Sequence, residues 1–232
     1  MPQPTSLLIT GAYSGLGREV LRLAFQAGFD VTSLVRTPAQ ASELTETYPG
    51  IRCLPCDLGC AEAVSATLHE LKSSYFAHVL FCAGTGQVGA FEALAPETLH
   101  TTLQVNLLSI MQMVHGLLQP DAMCPGKITL VSSLMATLPA GQAVTYAVSK
   151  AGLSHFYRSL KQAQPALPLL CLEIGAVNTP MHAKAGNTVS RRGFKSPQKM
   201  GQKIFAAMLR QHGLRTLSPE WALLRLLQRL RP

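Results

Sequence analysis

The chain has 232 residues, an apolar share of 47%, a charged share of 14% and a net charge of +8. Length and composition exclude a disordered polyampholyte and suit one sizeable core around a sheet buried on both faces. The charge is unevenly placed, −1 over residues 1–190 and +9 over 191–232, and no nucleic-acid-binding motif accompanies it, so no nucleic-acid partner is expected. No apolar run approaches the ~20 residues of a membrane span. The first residues have neither the basic region nor the cleavage site of a signal peptide, so a cytoplasmic location is expected.

Residues Ser6–Thr10 read as a short strand, followed by Gly11, Gly15 and Gly17 ahead of a helical pattern over Arg18–Ala27. Strand, glycine turn and helix together form a dinucleotide-binding context: the glycines let the backbone approach a pyrophosphate, and the helix N-terminus offers free N–H groups. Asp30–Val35 reads as a second strand. Arg36 stands just past it, where a guanidinium would pair a 2′-phosphate and favour NADP(H) over NAD(H), the latter remaining possible.

A helix over Ala39–Tyr48 leads to a third strand, Ile51–Cys56. Asp57 and Leu58 follow at its carboxyl end, beside the expected adenine, where Asp57 is equally placed to cap the next helix, Ala61–Ser73. Cys53 and Cys56 match a metal or redox spacing, but positions three apart on a strand face opposite ways. No second ligand pair accompanies them, so no metal is expected, and the six cysteines read as free thiols of a reducing compartment.

His78–Gly84 gives a fourth strand ending at Ala83 and Gly84, where the second half of a dinucleotide would pass. Pro96 opens a long helix in which Asn106 lies among leucines. Its amide either bonds to backbone or holds a water on a proton path. Lys127–Val131 is a fifth strand running into Ser132 and Ser133, whose hydroxyls point to the ligand crevice of an open parallel sheet.

The next helix, reaching to about Gln164, carries Tyr146 and Lys150, which one turn of helix places on one face. Drawing a phenol from about 10 to ~7 requires about 4 kcal/mol, which an ammonium ~4 Å away supplies at an effective dielectric of ~20. That makes Tyr146 a candidate general acid/base. Leu167–Ile174 is a sixth strand, leaving through Gly175, Val177 and Thr179. The β/α alternation predicts a doubly wound parallel sheet with helices on both faces, in one domain spanning 1–232. Residues 183–196 read as a substrate loop and 197–232 as a basic helical tail. In that tail Pro197–Gln211 reads as one helix and Pro219–Leu230 as an amphipathic one, which docks on its own domain or a twin subunit or lies on an anionic membrane surface.

With Thr10, the three glycines, Asn106, Ser133 and Tyr146-x-x-x-Lys150 in this order and spacing, residues 5 to 181 resemble the classical short-chain dehydrogenase/reductase family. The resemblance implies an α/β fold with a single Rossmann-type doubly wound parallel sheet, and a nicotinamide-dependent oxidoreductase with a catalytic tetrad. In it, Tyr146 exchanges a proton with the substrate oxygen and Lys150 lowers the tyrosine's pKa and binds the nicotinamide ribose. Ser133, chosen over Ser132 by its interval to Tyr146, hydrogen-bonds the carbonyl oxygen, and Asn106 holds a water. Thr10, Gly11, Ser14, Gly15, Leu16, Gly17, Arg36, Asp57, Leu58, Ala83, Gly84, Gly175, Val177 and Thr179 join Tyr146 and Lys150 as the cofactor-binding set. It implies a homodimer or homotetramer built on the helices carrying Asn106 and Tyr146.

Three departures stand out. Phe81-Cys82-Ala83-Gly84 replaces the family's Asn-Asn-Ala-Gly, Ile174 stands where a proline usually precedes Gly175, and Ser14 replaces the second basic residue of many NADP-preferring members. The expected activity is NADPH-dependent reduction of a carbonyl, or the reverse alcohol oxidation, on a largely apolar small molecule. Val88, Leu134, Met135, Leu138 and Met181 are expected near it; Arg191, Arg192 and Lys195 read first as a solvated loop and otherwise as the receivers of an acidic group on the substrate. The alternative is a non-catalytic NADP-binding sensor or interaction protein, which would have no physical reason to retain the whole tetrad.

Overall fold

The computed structural model describes residues 5–180 and 194–218. Seven parallel strands form one sheet in the order β3-β2-β1-β4-β5-β6-β7, from β1 (Ser6–Thr10), β2 (Asp30–Val35), β3 (Arg52–Pro55), β4 (His78–Phe81), β5 (Ile128–Ser133), β6 (Leu169–Ile174) and β7 (Gly213–Thr216). Six strands lie where the sequence places them. The seventh was not foreseen: it is four residues long, carries Arg215 at its centre, and pairs only with β6 at the sheet edge, where no continuous apolar run is needed.

The helices are α1 (Gly15–Gln26), α2 (Pro38–Thr47), α3 (Ala61–Leu71), α4 (Pro96–Leu103), α5 (Ser109–Leu117), α6 (Val144–Ala163) and α7 (Pro197–Arg210). Strand alternation assigns them to two layers. Leu7, Ile9, Leu170 and Leu172 pack in the cluster that includes α1, α2 and α7, whereas Leu8, Leu169 and Cys171 pack in the one that includes α3, α5 and α6. Each fully buried leucine contributes about 1.5–3 kcal/mol, so this two-sided burial is the main force holding the sheet.

The helix expected over Pro197–Gln211 is present as α7, which packs on α1, and residues 213–216 beyond it add the last strand of the sheet. Lys127, only 7% exposed, donates to the carbonyl of Met208 at 2.9 Å and so caps the C-terminal end of α7. The amphipathic segment 219–230 and loop residues 181–193, including Met181, Arg191 and Arg192, lie outside the described residues. No helix among the described residues is long and apolar enough to cross a membrane.

The expected long helix after Pro96 is interrupted. Residues Gln104–Leu108 form a π-helical turn between α4 and α5, and Asn106, fully buried, sits at its centre. Such a turn adds a residue to the helical repeat and re-aims the side chains that follow.

Candidate active site

Strand order reverses between β1 and β4, and a cleft of about 910 Å³ opens over the carboxyl ends there. At one end lies the glycine turn. Gly11 (φ +75°) and Gly15 (φ +57°) occupy the left-handed region, and a Cβ on Gly17 would lie 2.2 Å from the Gly11 carbonyl oxygen. The turn therefore requires glycine on steric grounds alone. Ser14 precedes α1 without capping it, and no acidic residue stands in the first helical turn, so the N–H groups there are unclaimed by side chains. A dinucleotide pyrophosphate fits this cradle.

The structure brings Gly11, Ser14, Gly15, Leu16 and Gly17 to the cleft together with Arg36, Asp57 and Leu58, then Ala83 and Gly84, then Gly175, Val177 and Thr179. Thr10 is not on the cleft wall. Its hydroxyl accepts from the amides of Cys82 and Ala83, both at 3.2 Å, and so joins the ends of β1 and β4. Asp57 lies at the adenine end, but its carboxylate accepts from the Gly59 amide at 2.9 Å, closing the turn before α3 instead of capping the helix, whose cap position is Cys60. All six cysteines are free thiols.

At the opposite end, the sheet and α6 bring three expected catalytic side chains together. Lys150 is 4% exposed and donates at 3.0 Å to the Val131 carbonyl. Its ammonium is 5.9 Å from the centroid of the Tyr146 ring. Ser133, the last residue of β5, lies close enough to the Tyr146 phenol to lower its pKa, and its Oγ accepts from the Met135 amide at 3.2 Å. Ser132 is engaged elsewhere: its hydroxyl bonds to the Lys150 carbonyl at 3.1 Å and to Ser154 Oγ at 2.8 Å. Geometry thus distinguishes the two serines.

Asn106 does not reach the cleft wall. Its Nδ2 donates to the Thr85 carbonyl at 2.7 Å and to Ser149 Oγ at 2.9 Å, and its Oδ1 accepts from the Thr85 amide at 2.8 Å. Ser149 in turn donates to the Tyr146 carbonyl at 2.7 Å. Of the two readings of this amide, the backbone bond is the one formed by the side chain.

One electrostatic expectation is corrected. The Tyr146 phenol is pushed above its ordinary value, not drawn toward neutrality: burial is the main cause, opposed by the Ser133 hydrogen bond. Lys150 is itself lowered to about 8 by burial. Desolvation disfavours both charged forms, and the ammonium's hydrogen bond is directed at Val131, not at the phenol.

Leu134, Met135 and Leu138 line the catalytic end as expected, whereas Val88 does not. The sequence reading missed Tyr13, Gln40, Cys82, Thr85, Gly86 and Phe194, which also line the cleft. Most follow a strand's carboxyl end, and that position was the available signal. Gly86 is held against the Tyr146 ring, where an added Cβ would meet Cδ2 at 2.9 Å. Lys195 pairs through its backbone with Ala176 and Asn178, returning the chain to the cleft beside Val177.

A family model described as short chain dehydrogenase matches residues 5–190. Among curated proteins, a 3-oxoacyl-acyl-carrier-protein reductase of Aggregatibacter actinomycetemcomitans is 29% identical over 188 residues, covering 75% of this chain and 76% of that protein. An uncharacterised oxidoreductase of Mycobacterium tuberculosis is 27% identical over 228 residues, covering 93% and 88%. Among solved structures, a short chain dehydrogenase from Burkholderia cenocepacia in complex with NADP superposes with a TM-score of 0.81 at 20% identity, covering 99% of each chain. One from Sphingobium yanoikuyae in complex with NADPH gives 0.80 at 18% identity, covering 97% and 94%.

Proposed function

The chain belongs to the short-chain dehydrogenase/reductase family of oxidoreductases, and from that premise we propose that it reduces a carbonyl group on a largely apolar small molecule, with NADPH preferred over NADH. The observation that carries the reading is the meeting of Ser133, Tyr146 and Lys150 at one end of a cleft whose other end holds the glycine cradle and Arg36. Arg36 makes no ion pair among the described residues, and its guanidinium is suited to a 2′-phosphate.

A reduced nicotinamide held between the glycine cradle and Thr179 would supply the hydride for a carbonyl carbon. Negative charge then develops on the carbonyl oxygen, and the side chains act there. Ser133 donates a hydrogen bond to that oxygen, and Tyr146 Oη transfers its proton to it, leaving an alcohol and a phenolate. The phenol is protonated at neutral pH, as a donor must be, and burial makes it a weaker acid than a free tyrosine, so its transfer relies on the charge developing on the carbonyl oxygen. Lys150, charged below about pH 8, stabilises the phenolate that remains and offers hydrogen bonds to the ribose hydroxyls. Asn106, through Thr85 and Ser149, fixes the floor on which Tyr146 and Lys150 stand. Leu134, Met135 and Leu138 supply apolar walls for the substrate.

The test is NADPH oxidation by the purified protein against apolar aldehydes, ketones and quinones, beside NADH and beside Tyr146→Phe. The reading expects an NADPH-dependent rate that Tyr146→Phe abolishes. Tight NADPH binding with no turnover of any carbonyl would instead favour a cofactor-binding sensor.

A further inference from the structure

At the adenosine end of the cleft, three side chains form a cluster with no part in the chemistry above. Tyr13 Oη donates to Glu43 Oε2 at 2.6 Å. Arg18 Nη1 lies 3.5 Å from Glu43 Oε1 and donates at 3.4 Å to the Tyr13 carbonyl. The Arg18 guanidinium therefore lies one residue from Ser14, the turn position that here carries no cation.

The same cluster adjoins Arg36. Tyr13, Ser14, Arg36 and Gln40 all line the cleft. Gln40 Oε1 accepts from the Arg36 amide at 3.0 Å, and Glu43 follows Gln40 by three residues on α2, which puts both on one helix face. Glu43, and with it the Arg18 guanidinium, is thus linked through Gln40 and one face of α2 to the segment that carries Arg36.

We propose that Glu43 is a specificity-determining residue: through Arg18 and Tyr13 it holds a second guanidinium back from the 2′-phosphate subsite, so that preference for the phosphorylated dinucleotide rests on Arg36 alone and stays modest. This deepens the NADPH reading and depends on it. The pair is half exposed, at 35% and 48%, so its charges act on a nearby phosphate through screened, salt-sensitive fields. Removing either partner shifts the local charge by one unit, with opposite signs.

The test measures binding, not turnover, by calorimetric titration of the full chain with adenosine 2′,5′-bisphosphate and with 5′-AMP. Glu43→Gln keeps an acceptor for Tyr13 while removing the charge, and should raise the affinity ratio about three- to five-fold at low salt, the gain shrinking at high salt. Arg18→Ala leaves the carboxylate uncompensated and should lower the ratio by a similar factor. The double variant should return to within about twofold of the unmodified protein. Arg36→Ala, measured in parallel, separates the two readings. If it leaves the ratio unchanged, the NADPH reading fails and this proposal with it. If it abolishes discrimination while Glu43→Gln leaves the ratio unchanged or lowers it, the NADPH reading stands and the role given to Glu43 is overturned.

Discussion

The Lys150 ammonium lies 5.9 Å from the centroid of the Tyr146 ring and donates at 3.0 Å to the Val131 carbonyl, so the two side chains share a pocket without sharing a hydrogen bond. Burial disfavours the charge on each, and what Lys150 contributes to the phenol is felt when a phenolate forms, not before.

This arrangement has a pH signature. Lys150 titrates at about 8 in the folded chain against 10.5 as the unperturbed value. Between those values the unfolded chain binds the extra proton, so stability due to this group rises with pH from about 8 to 10.5 and is lost as pH falls through 8. The cost below pH 8 is of the order of 3 kcal/mol. Melting temperatures across pH 7–10.5 should therefore climb more steeply in the unmodified protein than in Lys150→Met. Parallel curves would contradict the burial assigned to the ammonium.

Asn106 joins three segments by three hydrogen bonds within the interior. Asn106→Ala would leave the amide and carbonyl of Thr85 without this partner and free Ser149. Buried groups left unpaired cost about 1–3 kcal/mol each. Urea unfolding should show a loss of about 3 kcal/mol, with activity falling further because the floor beneath Tyr146 shifts. A neutral result in both assays would remove the positioning role.

Gly86 offers a finer probe of the catalytic end. A methyl group there meets the Tyr146 ring at 2.9 Å and its Cβ at 3.2 Å, so Gly86→Ala must displace the phenol. Displacement near 1 Å in a reacting group costs about 100-fold. The expected outcome is a kcat reduced by at least about tenfold with dinucleotide affinity retained, read by steady-state kinetics beside fluorescence titration.

The proposed self-association has a surface to test. Leu108 (49% exposed) and Met111 (39%) lie on the π-helical turn and α5, and Val148 (55%) on α6, an apolar group on the helices expected to meet a second copy. Light scattering should give a dimer or tetramer, and Leu108→Glu with Val148→Glu should dissociate it. A monomer in the unmodified protein would end the proposal.

Legibility in the sequence followed the range of the interaction. The glycine turn, the strand ends at Arg36 and Ser133, and the i,i+4 pair Tyr146 and Lys150 are each specified within one element, so local sterics and periodicity fix them whatever the rest of the chain does. The succession of apolar strands and helices along the chain likewise determined a parallel sheet covered on both faces. What spans elements was invisible: Asn106 meets Thr85 and Ser149 across 21 and 43 residues, Glu43 meets Tyr13 across 30, and Lys127 reaches Met208 across 81. Such contacts depend on strand order and on how helices cross the sheet, which no local pattern encodes. The same reason explains the missed β7 and the reversed expectation for Tyr146. An edge strand is recognised by the neighbour it pairs with. A pKa is set by how much solvent the fold removes, and only the assembled structure decides that.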